Sequence, residues 1–142
     1  MADKKARNLV ILVLLVVIPF LFRPLGYMLT GHSTEEVRKK IKKYLRKKYG
    51  QEFIVDRIGT RSSDDEEFYQ ARIYPKSIIG TNKEGDDYYY ASATVGKKLF
   101  GRLGAVGDSY SYVNRNMDME KYLLPKAKEL FGKRVLLKVD VE

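Results

Sequence analysis

Chemistry in this 142-residue chain has to come from a small set of side chains. Two carboxylate runs come first. Asp64, Asp65, Glu66 and Glu67 form one; Glu84, Asp86 and Asp87 form the other. Paired carboxylates serve as general acid and base, or hold a hard cation. Neither run has the ligand spacing of a calcium loop, and both lie in polar, turn-forming stretches, so we read them as solvated turns. There is no cysteine, which excludes disulfides, thiolate chemistry and cysteine-held zinc. A single histidine, His32, leaves no second ring for a zinc site and argues against a histidine triad. Residues 96–107, GKKLFGRLGAVG, place Gly96 and Gly101 at the gap of a phosphate-binding loop. Arg102-Leu103 stands where Lys-Ser/Thr would grip phosphate and magnesium, so that reading fails. No catalytic residue, metal or cofactor is expected. A hydrolase built on acidic residues is kept as the remotest alternative.

Residues suited to recognition are more plentiful than residues suited to catalysis. Residues 1–33 carry four basic and one acidic residue, residues 34–50 eight and two, and residues 51–142 fifteen of each. The net charge of +9 therefore sits wholly in the first fifty residues, with none over the rest. A nucleic-acid binder wants a basic face on its folded unit, which makes nucleic acid an unfavoured partner. An anionic surface or polymer beside a membrane suits the pattern better. The expected contacts with membrane lipid or a polyanion are Arg23, Arg38, Lys39, Lys42, Lys43, Arg46 and Lys47. The chain also has eleven tyrosines, and tyrosine offers contact area and a hydroxyl at low entropic cost. Tyr88 and Tyr90, with Lys97, Lys98, Phe100, Arg102 and Leu103 of the glycine-punctuated stretch, form the expected surface for a protein or peptide partner.

These residues need elements to carry them. Leu9 to Phe22 has no charged or polar side chain. As a helix it reaches about 21 Å, short of a hydrocarbon core of roughly 30 Å. Extension to Leu29 gives a spanning length, with Arg23 able to snorkel and Tyr27 at interface level. The expected organisation is a basic tail over 1–8, a transmembrane anchor over 9–29, a linker over 30–33 and a folded domain over 34–142. The short basic start followed by an apolar run resembles an uncleaved export signal, which leaves the N-terminus in the cytoplasm and the domain outside. The positive-inside rule pulls the other way, because more basic residues follow the span than precede it. We take the export topology.

After the anchor, Ser33 and Glu36 read as a capping box and Gly50 as a helix stop, framing a helix over about 34–49. Val37, Ile41, Tyr44, Leu45 and Tyr49 make its apolar stripe. Strands are expected at Phe53–Ile58, Phe68–Tyr74 and Asp87–Val95, with Tyr69, Ala71 and Ile73, and then Tyr89, Ala91, Ala93 and Val95, facing inward. Residues 96–107 read as a mobile loop. A second helix is expected over Ser109–Phe131 with Tyr112, Met119, Leu123, Ala127 and Leu130 buried, and a last strand at Val135–Val141. The fold class is α+β: an N-terminal transmembrane helix, then two helices packed on an antiparallel sheet of about four strands.

Lys47-Lys48-Tyr49-Gly50 followed by Phe53, a strand closing in Tyr74-Pro75, and Glu129-Leu130-Phe131-Gly132 leading into a valine-rich end resemble small membrane-anchored extracytoplasmic domains of Gram-positive bacteria. These are similar to cystatin-like or PepSY-like modules, with helices on one face of an antiparallel sheet. The chain departs from many of them in lacking a lipid-bearing cysteine and in the 96–107 stretch. The resemblance implies no catalytic residues. Together these readings lead to a non-enzymatic, membrane-anchored binding module for a protein, peptide or anionic wall polymer. The alternative is an accessory subunit held in a larger membrane complex through its apolar helix.

Overall fold

The computed structural model describes residues 8, 10–18, 32–64, 66–98 and 102–141. Residues 10–18 are helical, here α1, and every side chain in them is apolar and 42–67% exposed. Among the described residues no helix is long and apolar enough to cross a membrane. The expected span runs over 9–29, and its greater part, Arg23 included, lies outside the described residues.

Helix α2 spans Thr34–Tyr49 and has the ends its sequence calls for. The Ser33 hydroxyl accepts the Glu36 amide at 3.2 Å. Glu36 turns its own carboxylate to His32 Nδ1, 2.8 Å away. Gly50 takes the left-handed conformation, φ 67°, and donates to the Arg46 carbonyl at 3.0 Å.

Four strands follow or flank it: β1 (Phe53–Ser63), β2 (Glu66–Pro75), β3 (Ala91–Lys98) and β4 (Arg102–Asp108). They form an antiparallel meander in the order β1-β2-β3-β4. Pairs such as Val55 with Ile73, Ala71 with Ala93, and Val95 with Val106 set the register. Strand alternation then puts Phe53, Val55, Tyr69, Ala71, Ile73, Ala93 and Val95 on one buried face. Val37, Ile41 and Leu45 of α2 and Tyr110 and Val113 of α3 (Tyr110–Phe131) close that core from the same side. Each fully buried Leu or Ile contributes about 1.5–3 kcal/mol. Tyr49, Phe53 and Tyr110 meet edge-on or tilted at 4.7–5.7 Å between ring centres, tying the end of α2, the start of β1 and the start of α3 together.

Strand β1 runs past its expected end at Ile58 to Ser63, and β2 starts at Glu66, so Glu66 and Glu67 are strand residues and not part of a turn. Four further expectations need correction. The third strand starts at Ala91, not Asp87, because the Asp86 carboxylate accepts the Tyr88 amide at 3.1 Å and caps a short 3₁₀ turn over Asp87–Tyr89. Residues 96–107 are not a loop: apart from 99–101, outside the described residues, they form the end of β3 and most of β4. The glycines serve strand contact there. A Cβ on Gly104 would stand 3.0 Å from the Gly96 carbonyl oxygen. Residues 135–141 are in no strand. The position beside β3 is filled by β4, whose connection is three residues long and costs less entropy to close than a return from beyond α3. Finally, α3 buries Tyr110, Val113, Asn116 and Glu120, not Tyr112, Met119 or Leu130, which are 59%, 39% and 76% exposed, while Leu123 and Ala127 are half-buried. Pro125 lies within this helix without dividing it.

Candidate anion-binding groove

Eight basic residues on α2 have distinct fates, set by helical position. Three are built into the fold. Arg38 donates to the Val55 carbonyl at 3.1 Å and pairs with Glu35. Lys40 caps the Leu103 carbonyl at 2.8 Å. Lys48 meets Asp108 at 2.7 Å. The Asp108 side chain is fully buried and also accepts from the Tyr44 hydroxyl at 3.0 Å, the Tyr49 hydroxyl at 2.6 Å and the Tyr110 amide at 3.0 Å. Burial alone would push its carboxyl up, but Lys48 and the two tyrosines outweigh that and hold it below the ordinary aspartate value. The same contact raises the Lys48 ammonium above the ordinary lysine value.

Lys42, Lys43, Arg46 and Lys47 stand at i, i+1, i+4 and i+5, so they share one face of α2. All four are exposed, and they line a groove of about 640 Å³ together with Glu52, Phe53, Ile54 and Lys76. Phe53 and Ile54 supply an apolar floor from β1, and Lys76 closes the far wall just after β2. Five cations face one carboxylate, and that carboxylate, Glu52, sits 3.4 Å from Lys76. Among the described residues, the four helix cations have no acidic partner. Like charges at i and i+4 destabilise a helix by about 0.2–0.5 kcal/mol per pair. Lys42 with Arg46 and Lys43 with Lys47 are two such pairs, and an incoming anion relieves both.

The other expected residues scatter. Lys39 is exposed one turn before Lys43, outside the groove lining. Arg23 and Phe100 lie outside the described residues. Tyr88 and Tyr90 are half-buried just before β3, whereas Lys97 and Lys98 are at its far end, about 23–26 Å from Tyr90. They do not make one surface. Tyr88 is taken up by residue 139: its hydroxyl accepts the Val139 amide at 2.9 Å and donates to the Val139 carbonyl. Tyr90 stacks on Tyr74 at 4.7 Å and under Arg72 at 4.6 Å. Arg72 in turn forms a two-point pair with Asp56 at 2.8 and 2.7 Å, which holds the Asp56 carboxyl low. Lys97 is paired with Glu67 at 2.9 Å; Lys98 and Arg102 are exposed; Leu103 is packed against the core.

Sequence reasoning missed Lys76, which reaches the groove only because Pro75 ends β2 opposite Phe53. It also missed Glu120, a buried acid whose one signal was its place on the apolar 110–113–117–120 stripe of α3. Among the described residues no group of three or more His, Cys, Asp or Glu is placed to hold a metal ion.

No protein-family model, curated protein or solved structure matches the chain.

Proposed function

We propose that the chain is a single-pass, membrane-anchored, non-enzymatic binding module whose α2 groove takes an anionic polymer at the outer membrane face. The observation that carries this is the convergence of Lys42, Lys43, Arg46, Lys47 and Lys76 over an apolar floor, opposed by Glu52 alone. Lysine ammoniums are point charges on flexible stems, suited to a repeating anion rather than to one fixed bidentate contact. The apolar run of residues 10–18 and the spanning length reached at Leu29 support the anchor. The resemblance to cystatin-like or PepSY-like anchored domains, which implies no catalytic residues, supports a binding role.

Titration of the full-length chain with poly(glycerol phosphate), a phosphodiester polyanion, tests this. Saturable binding weakened roughly tenfold or more by combined Lys42→Glu, Lys43→Glu and Arg46→Glu supports the groove. Equal binding by wild type and variant refutes it. Binding to vesicles of acidic lipid but not to the polymer moves the ligand to the membrane itself. Protease protection on intact cells decides the side.

A second reading rests on the exposed apolar helix over 10–18, which suits an accessory subunit packed against other membrane helices. Replacing Leu9–Leu29 by an unrelated apolar span of equal length separates the two: loss of co-purifying membrane partners favours the subunit.

A further inference from the structure

A second cleft, of about 750 Å³, opens between α3, the turn before β3 and residues 133–138. Its size is that of a small-molecule site. At its floor Glu120 is 6% exposed. The Tyr89 hydroxyl donates to it at 3.0 Å and the Lys83 ammonium approaches its other oxygen at 3.2 Å. Lys83 also lies 4.8 Å from the centre of the Tyr89 ring. Burial, then the neighbouring Glu120, pushes the Tyr89 phenol well above its ordinary value, so it stays a neutral donor. The floor is thus charge-balanced and its carboxylate is occupied at both oxygens.

The rim is not balanced. Lys121 and Lys128 of α3 and Lys133 and Arg134 after it line the cleft without an ion pair among the described residues. Of the remaining acids, Asp86 is paired with Lys138 at 2.7 Å, whereas Asp118 meets only the neutral Asn114 amide at 3.4 Å and offsets one of the four cations. Between floor and rim lie Met117, Leu124 and Leu137. Residues 133–138 form the second wall, at the start of a segment that runs to residue 141. The segment is held by the two-way contact of Val139 with Tyr88 and by the Val141 amide on the buried Asn116 side chain at 3.0 Å.

We propose that this cleft binds a small organic anion. A phosphate or carboxylate sits among Lys121, Lys128, Lys133 and Arg134, and an apolar body lies over Met117, Leu124 and Leu137. Four cations around one cleft, unpaired among the described residues and offset by Asp118 alone, raise the local potential and select for negative charge. Residues 133–138 give the cleft a second wall opposite α3. This site stands independently of the polymer reading.

Phenyl phosphate, titrated by saturation-transfer NMR into the full-length chain in zwitterionic nanodiscs, is the test. The expected result is saturable binding of one molecule per chain. Paired Lys121→Glu and Lys128→Glu weakens it roughly tenfold or more. Leu137→Trp, which fills the cleft without changing charge, does the same and carries the test should the charge reversal prevent folding. Lys42→Glu with Lys43→Glu leaves the affinity unchanged within about a factor of two. The proposal is overturned if wild type shows no saturable binding, if a folded cleft variant keeps wild-type affinity, if the α2 variant weakens binding as much as the cleft variants, or if neutral benzyl alcohol binds as tightly.

Discussion

Lys47 and Lys48 are neighbours on α2 with opposite employment. Lys48 reaches a fully buried carboxylate, Asp108, and helps fasten α2 to the end of β4. Lys47, a third of a turn away, stands exposed on the groove with Lys42, Lys43 and Arg46. One side of the helix has its charge matched by the fold, and the other does not. The contrast teaches that basic composition is not a property of α2 as a whole. Charge spent on structure should register in stability and not in binding; charge left facing solvent should register in binding and not in stability.

The largest expected effect breaks the matched side. Asp108→Ala removes the acceptor of Tyr44, Tyr49 and Lys48 and strands their donors, at a cost of about 3 kcal/mol. Urea denaturation should show a lower midpoint with an unchanged slope. Next is Gly104→Ala, whose added carbon would press on the Gly96 carbonyl at 3.0 Å. Moving β4 away from β3 should cost about 1–3 kcal/mol, read in the same denaturation, and would loosen the strand that Asp108 ends.

Acid is a milder probe of the same side. Asp108 and Asp56 have carboxyls held below their ordinary value in the folded chain. The unfolded chain therefore binds protons first. The stabilisation is complete well above the unfolded aspartate value of about 3.9 and is lost as pH falls through the lower folded values. Melting temperature should hold from neutrality to about pH 5 and drop below about pH 4. Asp108→Asn should flatten that drop. The smallest stability effect belongs to the unmatched side: Lys42→Glu, Lys43→Glu and Arg46→Glu together should shift the unfolding free energy by less than about 1 kcal/mol.

What the sequence made legible follows the same division between local and distant causes. Helix α2 could be read to its ends because Ser33 and Gly50 act on neighbouring backbone. The start of β1, most of β2 and the inward faces of β2 and β3 could be read because alternation is local too, whereas β1 runs past the expected end at Ile58 to Ser63. The failures involve partners far along the chain. VLLKVDV has strong β character, yet β4 occupies the sheet edge it would have joined. Glycines 104 and 107 suggested mobility because the Gly96 backbone and Thr94 side chain they must clear belong to another strand. Of the residues that line the groove, Lys42, Lys43, Arg46 and Lys47 belong to a basic run visible in the sequence, but the groove itself is not, and Lys76 enters it through sheet pairing alone. The Asp108 network joins residues about sixty positions apart and left no trace in composition or spacing.

The salt dependence of poly(glycerol phosphate) binding tests the account's central claim most directly. Wild type should lose affinity steeply as salt rises, because bound cations release the polymer's counterions. Lys42→Glu, Lys43→Glu and Arg46→Glu should both weaken binding and flatten that dependence, while Lys48→Gln, on the matched side, should leave the slope near wild type. A slope indifferent to the groove residues, or one that Lys48→Gln flattens as much, would contradict the division of α2 on which the account rests.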